Sequence, residues 1–176
     1  MRNNDFFYRR LHSLLGVIPV GFFLVEHLIT NWYATKGEAA FQHKVAWIND
    51  LPFIIVLEIF FIFLPIMYHG IYGLYIAFQA KNNVSNYGYL RNVLFMLQRV
   101  TGVITLLYIG WHVWQTRIQV AIGAISYEEL GRLMNEVLAN PVTFSMYVIG
   151  LVAAVFHFSN GMWSFLVSWG ITVGPR

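Results

Sequence analysis

The sequence predicts an all-α membrane protein: a bundle of transmembrane helices with four spans, forming one integral membrane domain over residues 1–176. Two observations predict this class. Of the residues, 58% are hydrophobic and only 11% are charged, whereas a soluble domain carries about 25% charged residues. The apolar residues also form four runs, each long enough to cross a bilayer as a helix. Helices are expected because lipid forces every spanning segment to satisfy its own backbone hydrogen bonds.

The four spans are expected at residues 11–33, 52–80, 92–115 and 141–170. Lys and Arg concentrate at the N-terminus and between the second and third spans. The positive-inside rule therefore places the N-terminus in the cytoplasm, so the first and third spans run outward and the other two run inward. The loop sequence SYEELGRLMNEVL, between the third and fourth spans, is expected to form a short amphipathic helix on the outer surface.

Each span carries one histidine inside an apolar run, namely His27, His69, His112 and His157. A helix rises 1.5 Å per residue, so His27 and His112 are expected roughly 24 and 28 Å from the inner boundary of the bilayer. His69 and His157 are expected roughly 5–7 Å from that boundary. Depth alone therefore predicts two pairs of histidines, one near each face of the membrane.

Two histidines that face each other across a gap between helices can be the axial ligands of one haem iron. Such ligation fills both axial positions and leaves the iron to pass single electrons. The pattern therefore predicts two b-type haems with these four histidines as iron ligands. The chain contains no cysteine, which excludes covalent c-type haem and iron–sulfur ligation within it. The two other histidines, His12 at the inner edge and His43 in the outer loop, are expected to be interfacial.

Four long stretches resemble one family throughout the chain: FYRRLHSLLGVIPVG, LEIFFIFLPIMYHGIYGLYIAFQAKNN, LQRVTGVITLLYIGWHVWQTR and FHFSNGMWSFLVSWGITVGPR. They are similar to the cytochrome b membrane-anchor subunit of succinate:quinone oxidoreductases, in the two-haem form found in Gram-positive bacteria such as Bacillus. The resemblance implies that His27 and His112 bind an outer haem, and that His69 and His157 bind an inner one. Two-haem members usually carry a fifth span, which would begin near GITVGPR.

The resemblance also implies an enzyme complex in the bacterial cytoplasmic membrane. A flavoprotein would oxidise succinate on the cytoplasmic side, and an iron–sulfur subunit would pass the electrons through the two haems to menaquinone. The succinate chemistry must lie in those partners, because this chain has no cysteine and no flavin fingerprint. A basic rim could dock them, although the positive-inside bias alone also explains it; its members are Arg2, Arg9, Arg10, Lys81 and Arg91.

Several polar residues inside the spans are further candidates, because ionisable groups in a membrane are expensive. Arg99 and Ser13 are expected to contact a propionate of the inner haem, unless Arg99 snorkels to the surface. Glu26 and Glu58 lie toward the outer side and, with Asp50 at the surface, are candidates for relaying protons to menaquinone. The alternative for the acids is a neutral carboxyl group hydrogen-bonded to a neighbouring helix.

Two other functions stay open on the residues alone. The first is a two-haem cytochrome b anchor of another respiratory complex, such as a hydrogenase or formate dehydrogenase, which the histidine geometry would fit equally well. The second is a haem-free structural anchor or small transporter, in which the histidines pair with each other or carry protons.

Overall fold

The structure is a computed structural model that describes residues 3–173, and the regular elements within them are helical. The α-helices are α1 (Asn3–Val17), α2 (Pro19–Trp32), α3 (Glu38–Asn49), α4 (Ile54–Leu57), α5 (Leu64–Gln79), α6 (Leu90–Val113), α7 (Gln119–Ala121), α8 (Leu130–Ala139) and α9 (Pro141–Ser168). Short 3₁₀ turns cover Tyr33–Lys36 and Tyr127–Glu129, and π-helical turns cover Glu58–Phe63 and Trp114–Ile118. Arg2, from the predicted basic rim, lies outside the described residues, as does the end of the stretch GITVGPR.

Four helical stretches are long and apolar enough to cross a membrane, and we name them spans 1 to 4: Asn4–Lys36, Ile54–Gln79, Leu90–Ala121 and Pro141–Ser168. They confirm the predicted all-α membrane fold with four spans. The observed ends differ from the expected ones most in spans 1 and 3. Span 1 begins well before residue 11, and span 3 continues six residues beyond residue 115.

Prolines account for two of the irregular points in the spans. Span 1 changes from α1 to α2 at Ile18, where Pro19 lacks the N–H group that would continue the helical ladder. In span 2, Pro65 is the second residue after the π-helical turn. A proline within a helix leaves the carbonyl four residues earlier without its donor and crowds it, which favours such local widening. Span 2 reaches its histidine after this turn.

Glycines allow close contacts between spans. Helices α6 and α9 have the most extensive contact, and α1 packs against both α5 and α9. Each of three glycines faces a ring from a neighbouring span: Gly16 faces His69, Gly21 faces Phe158, and Gly150 faces Tyr108. Small residues at helix interfaces are typical of membrane bundles, because lipid supplies no hydrophobic force to join helices that cannot approach closely.

Helices α3 and α8 lie together at the end of the bundle where spans 1 and 3 finish. They contact each other, and α8 also packs on α9. Gln42 of α3 donates to the backbone oxygen of Glu128, 2.7 Å away, just before α8. Helix α8 lies in the loop predicted to form an amphipathic surface helix, so that element is present.

Few apolar side chains among the described residues are buried within the chain itself. Only Phe41, Ala153, Ala154 and Phe165 belong to that core, while many Phe, Leu, Ile and Val side chains of the spans are exposed. Exposing so much apolar surface to water would be strongly unfavourable, but in a bilayer lipid covers it. Contacts between the spans instead include histidine and tyrosine rings that pack on one another and on glycines.

Candidate functional site

The structure brings the four span histidines together as two pairs. The ring centres of His27 and His112 are 5.8 Å apart with an angle of 72° between ring planes. Those of His69 and His157 are 6.1 Å apart at 81°. We name the pair from spans 1 and 3 the outer pair and the pair from spans 2 and 4 the inner pair, after the membrane faces at which the sequence predicts them. This is the grouping that the depth of each residue predicts.

These separations suit one metal atom per pair. A metal–imidazole nitrogen bond of about 2 Å on each side places two ring centres about 6 Å apart. Among residues 3–173, no three His, Asp or Glu side chains converge as a metal-binding group. The histidines therefore come in twos, which is the number that the two axial positions of a haem iron require.

Backbone oxygens hold both rings of the inner pair. The Nδ1 atom of His69 lies 2.9 Å from the backbone oxygen of His12, and that of His157 lies 2.9 Å from the backbone oxygen of Gln98. A carbonyl oxygen only accepts, so each Nδ1 must carry the proton and donate it. Each Nε2 then keeps its lone pair. Metal-binding histidines are usually oriented by such a bond from the other ring nitrogen.

Glycines and a third histidine pack around the inner pair. A Cβ atom at Gly102 would lie 2.8 Å from the His157 ring carbon Cε1, and one at Gly16 would overlap the His69 ring. The His12 ring stacks on the His69 ring, with centres 4.1 Å apart and planes 7° apart. His12 is thus half-buried with its ring turned inward onto the inner pair, a contact that the sequence did not predict. Its position at the membrane interface stays a prediction.

A hydrogen-bonded clamp fixes α9 to α6 beside the inner pair. The Gln98 amide nitrogen donates to the backbone oxygen of His157 at 3.1 Å, and the Asn160 amide nitrogen donates to Gln98 Oε1 at 2.6 Å. The same two helices also share the bond from His157 Nδ1 to Gln98. Rotation of α9 about its axis would break all three bonds, so the clamp sets the direction of the His157 ring.

The outer pair is held by side chains instead. His112 Nδ1 lies 3.0 Å from the hydroxyl oxygen of Tyr147, and that hydroxyl lies 3.7 Å from the sulfur of Met134. The His27 ring packs against Phe23 and His112. No hydrogen bond from another residue of the described chain reaches the His27 ring.

An ion pair joins spans 2 and 3, five residues after His112 along span 3. Arg117 donates to both carboxylate oxygens of Glu58, with the shortest distance 2.6 Å, and each residue lies in one of the two π-helical turns. Of the other two proton-relay candidates, Glu26 accepts a 2.6 Å hydrogen bond from Thr30, and Asp50 is exposed at the end of α3. The three acids therefore differ in their surroundings: Glu58 is paired with Arg117, Glu26 accepts from Thr30, and Asp50 is exposed.

Arg99 and Ser13, the two expected propionate contacts, differ in how many of their polar atoms already have hydrogen-bond partners. Arg99 donates to the backbone oxygen of Phe95, while its buried Nε atom has no hydrogen-bond partner. No carboxylate among residues 3–173 forms an ion pair with Arg99. Such a cation inside a span is suited to an anionic group. Ser13, in contrast, already donates to the backbone oxygen of Arg10 and accepts from Trp169.

Comparison with known proteins identifies the relatives of this bundle. The sequence profile of the succinate dehydrogenase/fumarate reductase transmembrane subunit matches residues 79–175, more than half of the chain. The chain is also 53% identical over 175 residues to the succinate dehydrogenase cytochrome b558 subunit of Bacillus subtilis (strain 168), covering 99% of this chain and 85% of that protein. The chain belongs to the succinate dehydrogenase/fumarate reductase transmembrane subunit family. No solved structure matches it.

Family membership agrees with the fold, because this family consists of transmembrane subunits and the chain has four helices that can span a membrane. The chain is therefore a multi-pass membrane protein and an anchor subunit of the succinate dehydrogenase kind. The profile match begins at residue 79, so it contains His112 and His157, whereas the match to the Bacillus protein also includes the two histidines of spans 1 and 2.

Four residues beside the pairs were missed by sequence reasoning. Arg117 lies just beyond the expected end of span 3, and only the longer helix brings it to Glu58. Gln98, Tyr147 and Asn160 are ordinary residues of apolar helices in the sequence. Asn160 lies three residues after His157, close to one helical turn, and this spacing was the available signal for it. Gln98 and Tyr147 reach histidines on a different helix, and spacing along one helix does not reveal such contacts.

Proposed function

We propose that this chain is the cytochrome b membrane anchor of a succinate dehydrogenase complex and passes electrons from an iron–sulfur subunit to menaquinone. In this proposal His69 and His157 bind an inner b-type haem, and His27 and His112 bind an outer one. The observation that carries it is the meeting of four imidazoles in two pairs about 6 Å across. The name of the Bacillus relative, a cytochrome b558 subunit, supports haem as the bound group.

The chain's own residues meet the requirements of such a site. A haem with two histidine ligands, when bound, supplies reversible one-electron transfer without an open iron position. The carbonyl oxygens of His12 and Gln98 keep the Nε2 lone pairs of the inner histidines available. Glycine at positions 16 and 102 leaves room beside the same rings. Arg99 supplies a positive charge for an inner haem propionate, while Ser13 contributes less because its hydroxyl is already paired.

Menaquinone reduction takes two electrons and two protons, and we propose that it occurs near the outer pair. Glu26, Glu58 and Asp50 remain the candidate proton carriers. Asp50 is exposed and can exchange protons with water, whereas Glu58 is held by Arg117 and needs that bond to loosen before it accepts a proton. Glu26 lies next to His27 in the sequence and already accepts a hydrogen bond from Thr30.

The proposed partners are a flavoprotein and an iron–sulfur subunit on the cytoplasmic side, where we also place the N-terminus of the chain. The described part of the basic rim supports this placement. Arg9 and Lys81 are exposed, Arg10 lies over Phe6 and Trp169, and Arg91 lies over Trp163. The aromatic rings hold Arg10 and Arg91 in place, and an acidic partner could reach all four cations at the membrane surface.

The test is to purify the chain with its co-expressed partners and record reduced-minus-oxidised spectra during a redox titration. Two b-type haems per chain, a co-purified flavoprotein with succinate dehydrogenase activity, and menaquinone reduction by succinate are expected. A spectrum without haem would instead support a haem-free anchor or transporter. Two haems without succinate activity would support the anchor of another respiratory complex. Replacing the exposed His43 of α3 should leave both haems in place.

A further inference from the structure

Tyr147 of α9 lies inside an aromatic cluster around the outer histidine of span 3. Its ring centre is 5.7 Å from that of His112, 5.4 Å from that of Tyr108 and 5.2 Å from that of Trp111. These contacts are edge-on, a favourable arrangement for aromatic rings. The phenol is therefore held in one place by its ring, and its hydroxyl can orient a neighbouring group.

The direction of hydrogen bonding follows from the chemistry of Met134. A thioether sulfur has no hydrogen and can only accept, so the Tyr147 O–H donates to Met134 Sδ at 3.7 Å. The phenol oxygen is then left to accept from the Nδ1–H of His112 at 3.0 Å. This chain of two bonds places the proton on Nδ1 and leaves the Nε2 lone pair free, as the backbone carbonyls do for the inner pair.

Met134 belongs to α8, a helix of the loop outside the spans. Gly131, about one turn before Met134 on α8, is buried against Gln42 and Glu38 of α3. This contact holds α8 in place. The orientation of His112 is thus connected through Tyr147 to the two helices that cover the outer end of the bundle. The inner pair has no such connection, since its two Nδ1 atoms bond to the backbone of α1 and α6.

We infer that Tyr147 is a positioning residue for His112, and that Met134 sets the direction of its hydroxyl. The outer loop helix thereby controls the tautomer and ring orientation of one outer ligand. This inference rests on the proposed function, because the Nε2 lone pair matters only if His112 binds a haem iron. A hydrogen bond from the second ring nitrogen raises the basicity of a histidine ligand, so its loss should weaken the hold on oxidised iron.

The experiment uses the assembled complex carrying Tyr147→Phe, which keeps the ring and removes the hydroxyl. The expected result is a raised midpoint potential and an altered low-spin electron paramagnetic resonance signal of the outer haem, with the inner haem unchanged. Met134→Leu, which nearly conserves volume, should shift the outer potential in the same direction by a smaller amount. The matched control is Tyr108→Phe, since Tyr108 stacks on His112 at 5.8 Å but does not hydrogen-bond to it.

An unchanged outer haem in Tyr147→Phe would overturn the inference, as would an equal shift in Tyr108→Phe or in the inner haem. A His112→Ala variant, measured beside these, separates the two proposals. If it loses the outer haem while Tyr147→Phe changes nothing, only the positioning role fails. If it keeps both haems, His112 is not a ligand and the proposed function and this inference fail together.

Discussion

The inner and outer histidine pairs have similar ring separations but are held by different parts of the chain. Backbone carbonyl oxygens accept from both inner histidines, and glycines lie against both inner rings. In the outer pair, the hydroxyl group of Tyr147 is hydrogen-bonded to His112. The inner rings are therefore held by backbone oxygens and close helix packing, with the Gln98 clamp in addition, whereas the His112 ring is held by a hydroxyl group that a single substitution can remove.

This difference suits the roles that we propose for the two ends. The inner pair would receive electrons from a soluble partner and needs only a fixed geometry. The outer pair would lie where electrons, protons and quinone meet, and there side chains can adjust the site. Backbone-held and side-chain-held ligands should also respond differently to substitution, which the following variants test from the largest expected effect to the smallest.

Gly102→Ala should cause the largest change, because the added Cβ would lie 2.8 Å from His157 Cε1 on a tightly packed helix. We expect loss of the inner haem, so that the haem content per chain falls by about half while the outer haem stays. The measurement is haem content and a redox titration of the purified complex. The matched control is Gly110→Ala on the same helix, where a Cβ meets no atom within 4 Å. Retention of both haems in Gly102→Ala would show that His157 can move without consequence.

Gln98→Leu should have a smaller effect on the same pair. The substitution removes the hydrogen bonds that the side-chain amide of Gln98 forms with His157 and Asn160. It keeps the backbone oxygen that accepts from His157 Nδ1. Loss of an orienting partner weakens a metal site by 10–100-fold as a rule, so we expect about a tenfold faster loss of the inner haem. Transfer of haem to an excess of apomyoglobin measures this rate. Gln79→Leu, at the exposed end of α5, is the control. Equal rates of haem loss in both variants would show that the clamp does not help to hold the inner haem.

Glu58→Gln should leave both haems in place and lower stability only moderately. The side chains of Arg117 and Glu58 are 25% and 16% exposed, so we expect a cost of about 2 kcal/mol, below that of a fully buried pair. The midpoint of thermal unfolding of the complex measures it. Glu136→Gln is the control because its pair with Arg132 is well exposed, and such pairs contribute less than about 1 kcal/mol. If the two variants lower the midpoint of unfolding equally, the pair of Glu58 and Arg117 contributes no more to stability than an exposed pair.

Most of the fold could be predicted from the sequence, because long apolar runs have few alternatives to spanning helices. The two groups of histidines could also be predicted, since a helix converts residue number into depth. The end of span 3 could not: the π-helical turn at Trp114–Ile118 carries Arg117 into the bundle beyond the expected boundary.

Rotation about each helix axis was the missing quantity for the rest of the candidate site. Depth does not tell that the His12 ring turns inward onto His69, or that Tyr147 reaches His112 rather than lipid. The roles of Glu26, Asp50 and Glu58 likewise depend on partners that only the packed bundle brings close. The assignment of the four histidines as haem ligands and of Arg99 as a propionate contact stays a prediction.

The most direct measurement is an electron cryo-microscopy map of the whole complex at a resolution that shows side chains. The account predicts one flat macrocycle between His69 and His157 and a second between His27 and His112, with Tyr147 still within hydrogen-bonding distance of His112. A map in which these rings contact each other or face lipid, with no macrocycle between them, would contradict the electron-transfer function.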